Sequence, residues 1–115
     1  MEKNIEVSML CQLYGKLLTK KQYELINDYY NKDYSLSEIA QNYKITRQAV
    51  RDRIKKGEKK LFELEESLGF MKRMLNQEKA IDHILTQLSK IQSKDSDKEV
   101  SKILDHVRKE LSCLV

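Results

Sequence analysis

At 115 residues the chain has room for one domain, or one domain with a helical appendage, and the absence of proline with only three glycines favours helix nearly throughout. No run approaches the roughly 20 apolar residues of a membrane span. Met1-Glu2-Lys3-Asn4 lacks the basic start and apolar run of a secretory signal, so a cytoplasmic protein with no membrane partner is expected. Net charge is a mild +4, yet residues 44–60 hold eight Lys or Arg against Asp52 and Glu58, a local +6, while the flanks 1–43 and 61–115 each sum to −1. A charge run is usually a solvated face; confinement to one predicted helix points instead to an anionic partner.

The first helix is predicted from about Asn4 to Leu18, with Val7, Leu10, Tyr14 and Leu17 forming one apolar stripe. Gly15 within it costs about 1 kcal/mol relative to Ala and predicts a neighbour that needs close approach. Thr19 reads as the next N-cap, with Gln22 completing a capping box and Leu18 and Tyr23 as a hydrophobic staple. The second helix places Tyr23, Ile26 and Tyr30 inward and ends at Asn31-Lys32-Asp33. Ser35-Leu36-Ser37-Glu38 is a second capping box, with Tyr34 and Ile39 as its staple. It opens a short third helix, Leu36 to Tyr43, with Leu36, Ile39, Ala40 and Tyr43 inward. Lys44-Ile45 makes a turn, Thr46 caps a fourth helix, and Ile45 and Val50 form a third staple.

This spacing fits a helix-turn-helix over residues 35–60. Ala40 is the small residue where two helices touch, Ile45 plugs the turn, and Val50 and Ile54 point the second helix's underside at the core. The turn usually prefers Gly where this chain has Lys44, which must then accept a left-handed or strained backbone.

Leu36-Ser37-Glu38-Ile39-Ala40 followed by Ile45-Thr46-Arg47-Gln48-Ala49-Val50 resembles the DNA-reading region 4 of sigma-70-type factors. With Leu17 to Gln22, Tyr29-Tyr30, Asp33-Tyr34-Ser35 and Ile54-Lys55 added, the chain resembles the YlxM family of small bacterial helix-turn-helix proteins over residues 5–68. That resemblance implies a DNA-binding regulatory or accessory protein encoded beside signal recognition particle genes and linked to that targeting pathway. No segment resembles the promoter-melting region 2 of a sigma factor.

In such a motif the second helix enters the major groove N-terminus first. Its outward face would carry Arg47, Gln48, Arg51, Asp52 and Lys55. Arg suits bidentate contact with guanine and Gln with adenine, so Arg47, Gln48 and Arg51 are assigned to base edges. Lys55, Lys56, Lys59 and Lys60 lie further along and are assigned to phosphates, with Ser35 and Ser37 adding contacts at the start of the third helix. The competing reading has these groups solvating an exposed helix, with Asp52 and Glu58 as intrahelical partners.

Beyond Val50, apolar positions continue as Ile54, Gly57, Leu61, Leu64 and Leu68, a heptad-like seam that Gly57 interrupts at a weak or closely packed point. Leu68-Gly69-Phe70 reads as a helix stop, with Gly69 left-handed and Phe70 folding back. A further helix carries Met71, Met74, Ile81, Leu85 and Leu88 on one face, with Phe70, Ile84 and Ile91 beside it. Ser93-Lys94-Asp95 is predicted as loop, and Ser96 to Glu99 as a capping box for a last helix bearing Val100, Ile103, Leu104, Val107, Leu111 and Leu114. The expectation is an all-α fold: residues 1–68 as a helix-turn-helix domain with a long recognition helix, and 69–115 as an amphipathic hairpin that packs on the head or joins two copies in a homodimer.

Three other function classes frame this reading. One is a protein-interaction module whose helices dock on RNA polymerase or another partner; a second has the basic helix meeting the phosphates of structured RNA without sequence readout. Enzymatic activity is the least supported. There is no Gly-rich phosphate loop and no catalytic Ser/His/Asp or Cys/His grouping, so no small-molecule substrate or cofactor is expected. Cys11, Cys113, His83 and His106 are isolated, giving no metal-ligand spacing, and both thiols are expected to be reduced and partly buried.

Overall fold

The computed structural model describes residues 1–94 and 97–113. It is all-α: α1 (Lys3–Tyr14) continues into a 3-10 turn (Gly15–Leu17), followed by α2 (Lys20–Tyr30), α3 (Leu36–Tyr43), α4 (Arg47–Leu68), α5 (Phe70–Lys94) and α6 (Lys98–Ser112). The described residues contain no strand. They fall into two compact units, Met1–Met71 and the remainder from Lys72.

The core of the first unit is assembled by Val7, Leu10 and Tyr14 of α1, Leu25 and Ile26 of α2, Ile39 of α3, and Val50 and Leu61 of α4, all essentially inaccessible to water. Local chemistry sets the helix starts. Thr19 and Gln22 exchange side-chain and backbone bonds of 3.2 Å each, and Ser35 and Glu38 do the same at 3.1 and 3.4 Å. Both capping boxes expected in this first unit are therefore formed.

The α1 stripe differs from its expectation at the C-terminal end. Leu17 is 54% exposed, and Leu18 with Cys11 completes the buried face instead. The cause is the 3-10 turn, which advances roughly 120° per residue rather than 100° and rotates Leu17 outward. Gly15 does meet a close neighbour, since a Cβ there would lie 2.9 Å from the Tyr23 ring. Tyr23, expected to face inward, thus lies across this turn half exposed, and Leu25 is buried instead. Of the two thiols, Cys11 is buried and Cys113 exposed, and neither is in a disulfide.

Three phenol–carboxylate pairs bind the helices together. The Tyr14 hydroxyl donates to Glu65 at 2.7 Å, Tyr30 donates to Glu58, and Tyr43 donates to Asp28 at 3.1 Å. They tie α1 to α4, α2 to α4 and α3 to α2. Every buried side-chain polar atom among the described residues has a partner, so no desolvation cost is left uncompensated there.

Helix α4 ends as expected. Gly69 is left-handed at φ 65°, its N–H reaching the Glu65 carbonyl at 2.8 Å. The Phe70 ring then stacks on Tyr14 with centroids 6.2 Å apart. Tyr14 and Glu65 also accept the first free N–H groups of α5, from Phe70 and Met71, at 3.1 and 2.9 Å. In the second unit Ile81 is buried, while Ile84 and Ile91 lie exposed beside it. Ser93 and Lys94 extend α5 rather than forming loop. Asp97, not Ser96, caps α6, its carboxylate accepting the Glu99 N–H at 2.9 Å. Aspartate is as good an N-cap as serine, and two such residues flanked the predicted start. Asp95, Ser96 and Leu114 lie outside the described residues. Arg108 of α6 reaches Ser89 of α5 at 3.4 Å, a side-chain contact between the two helices.

Candidate nucleic-acid interface

The turn between α3 and α4 is built around Lys44, which adopts φ 55° and ψ 44°, the left-handed conformation that its place in the motif demands. The Lys44 N–H turns back to the carbonyls of Ala40 and Gln41, and the Ile45 N–H bonds Ala40 at 3.0 Å. This pattern satisfies the last carbonyls of α3 while reversing the chain in a single step. Thr46 then opens α4 by accepting the Ala49 N–H at 3.0 Å. Val50 and Ile54 are buried beneath the helix and Ala40 lies against it, which fixes the face that α4 turns to solvent.

Arg47, Gln48, Arg51, Asp52, Lys55, Lys56, Lys59 and Lys60 are all exposed, as are Ser35 and Ser37 at the start of α3. These ten positions are at the surface, but they do not form one patch. At about 100° per residue, Arg51, Lys55 and Lys59 occupy one flank of α4, and Lys56 and Lys60 the opposite one. Arg47 and Lys60 stand about 20 Å apart along the axis, farther than the ~12 Å width of a major groove. The end at Arg47 and the end at Lys60 are therefore well separated along the helix.

Two acidic residues within the basic run behave differently. Gln48 donates its amide N–H to Asp52 at 2.9 Å, which orients the amide and leaves its second N–H and its carbonyl free. Glu58 is not an intrahelical partner of the lysines. It is buried at 8% exposure, bonded by the Tyr30 phenol and paired with Lys3 at 3.4 Å. Burial, then the Glu58 bond, pushes the Tyr30 phenol well above its ordinary range.

Beside this pair is a cleft of about 270 Å³, lined by Lys3, Tyr29, Leu36, Arg51 and Lys55 among others. Lys3 and Tyr29 thus stand next to the α4 cations although sequence reading did not select them. Nothing local marks them, because only the packing of α1 along α4 brings residue 3 beside residue 58. Ser35 keeps a hydroxyl proton to donate, its oxygen being the acceptor that caps α3.

No helix among the described residues is long and apolar enough to cross a membrane. Over residues 1–106 the chain matches the family described as "Putative helix-turn-helix protein, YlxM / p13 like". A UPF0122 protein of Acetivibrio thermocellus is 39% identical over 115 residues, covering all of this chain and 98% of the relative. One from Clostridium perfringens is 36% identical over 111 residues, 96% of this chain and 97% of its own. One from Listeria innocua is 40% identical over 89 residues, 77% of this chain and 81% of its own. With an all-α fold, a left-handed turn joining α3 to α4 and a match across most of its length, the chain belongs to the YlxM / p13-like helix-turn-helix family.

Proposed function

We propose that this chain is a cytoplasmic DNA-binding regulatory protein, not an enzyme, and that α4 reads duplex DNA through Arg47, Gln48 and Arg51. One observation carries the reading: the chain's positive excess is concentrated in residues 44–60, the turn and the first part of the second helix of a helix-turn-helix, where every cation but Arg53 is exposed. Lys55 and Lys59 continue the Arg51 flank toward one phosphate strand, and Lys56 and Lys60 face the other. Asp52 holds the Gln48 amide in place for an adenine edge, and Ser35 and Ser37 sit where the start of α3 would cross the backbone. The YlxM resemblance adds an accessory role linked to the signal recognition particle pathway. The amphipathic hairpin supports action as a homodimer.

The test is duplex binding to fragments of the protein's own operon. Replacing Arg47 and Arg51 together by Ala should abolish discrimination between sites, each base contact being worth about 1–3 kcal/mol. Replacing Lys59 should instead weaken all sequences alike and reduce the salt slope by about 0.9. Unchanged affinity of the double variant at low salt would remove α4 as the reading element.

A further inference from the structure

The first unit carries a second, larger cleft of about 670 Å³ over the turn from α1 to α2, far from the recognition end of α4. Its floor is Cys11, Gly15, Leu18 and Tyr23, and Lys16 and Lys20 stand on its rim. Leu13 and Leu17 beside it are 38% and 54% exposed, so the apolar surface continues past the cleft. Gly15 deepens it, because a side chain there would press on Tyr23. Tyr14, next to this floor, binds Glu65, which lies about 27 Å along α4 from Arg47. An occupant of the cleft would leave the DNA-reading end of α4 open.

Helix α6 has the opposite problem. It is 15 residues long and amphipathic, yet none of its described residues is buried. A helix of that length is marginal in water without a packed face. Ile103 is 64% and Val107 37% exposed, the most exposed part of its apolar stripe. Glu99, Ile103, Val107 and Glu110 follow one another at steps of four, four and three, so the two acids flank the exposed ridge. On the far side of the stripe Asp105 is taken up by Arg108 and Lys109. On the ridge side His106 pairs with Glu110 at 3.1 Å, and among the described residues no cation is paired with Glu99.

We infer that the α1–α2 cleft of one copy receives the Ile103–Val107 ridge of α6 from a second copy, with Lys16 and Lys20 facing Glu99 and Glu110. The cleft is concave and apolar with a basic rim; the ridge is convex and apolar with acidic flanks. A helix in a groove is a standard way to match such surfaces. The same chain holds both halves, so two contacts related by a twofold axis close a dimer and leave neither half uncovered. A flat lipid surface would not fill a concave floor, and two lysines above apolar groups are poor phosphate readers. This inference rests on the homodimer reading and adds the surfaces through which the copies meet.

The experiment is sedimentation of the full chain at tens of micromolar, with two charge-reversal variants, K16E/K20E and E99K/E110K. All four residues are exposed, so circular dichroism should show both variants folded. The wild type should be dimeric. Each variant alone should associate about tenfold more weakly or less well still, since each exposed ion pair is worth up to roughly fivefold and reversal adds repulsion. Mixing the two variants should restore dimers, because both reciprocal contacts then pair opposite charges again. A dimer indifferent to the reversals, or one that mixing fails to restore, overturns these surfaces while leaving self-association standing. A wild type that stays monomeric overturns the dimer reading as well.

Discussion

Lys44→Gly should stabilise the protein, although it removes a side chain from the charged run. Lys44 sits at φ 55° and ψ 44°, where an L-residue pays about 1–2 kcal/mol relative to right-handed backbone. Glycine avoids that cost but loses roughly 0.5–1 kcal/mol more chain entropy on ordering. The difference favours glycine by about 0.5–1 kcal/mol. The side chain is exposed, and the hydrogen bonds at this turn come from the backbone of residues 44 and 45, which the substitution keeps. Lys44→Ala is the matched control: it removes the same charge but retains the left-handed strain. Urea and thermal unfolding should place the glycine variant above the alanine variant by roughly 0.5–1 kcal/mol, a rise of several degrees for a domain of this size. A glycine variant equal to or less stable than the alanine one would refute the left-handed turn as the joint of the motif.

At Gly57 a Cβ would sit 2.5 Å from the Ile26 Cδ1 methyl and 3.6 Å from the Gln22 Cβ. Gly57→Val should therefore cost about 1–3 kcal/mol by overpacking, while Gly57→Ala stays near neutral because about 1 kcal/mol of helix propensity offsets the displaced methyl. Denaturant midpoints of the two variants check this. Burial, and then the bond to Asp28, push the Tyr43 phenol up to about 12. Its unfolded value is about 10, so its contribution is complete below that pH and is lost as pH climbs from about 10 to about 12. Stability measured at about pH 8 and about pH 11 should fall, and Tyr43→Phe should be less stable at the lower pH and show a shallower fall. Tyr14 and Tyr30 are raised in the same sense and supply the remaining slope.

What the sequence disclosed was mostly local chemistry. Thr19, Ser35, Thr46 and Gly69 each announce a helix end within three or four residues, and each does so in the fold. Lys44 was readable as left-handed or strained because the turn of this motif usually prefers Gly at its position. Features that depend on residues far apart in the chain were not readable. Tyr14, Tyr30 and Tyr43 fit an apolar periodicity and give no hint that Glu65, Glu58 and Asp28 wait on other helices. The same limit hid Lys3 beside α4. It also made Glu58 look like a partner of the lysines around it, when its carboxylate belongs to Tyr30 and Lys3. Leu17 was misplaced for a subtler reason: three residues of 3-10 helix change the phase of a stripe without altering its spacing. The candidate interface residues were nameable because exposure on α4 follows from the buried positions Val50 and Ile54. Their division between two flanks of the helix follows from the same phase.

The central claim is that residues 35–60 bind duplex DNA. The most direct measurement is to cross-link the protein in cells, sequence the bound DNA and RNA together, and identify bound proteins in the same sample. Discrete duplex sites that disappear in the Arg47→Ala/Arg51→Ala variant are the predicted result. Recovery of one dominant RNA, or of protein partners with no enriched duplex, would contradict it.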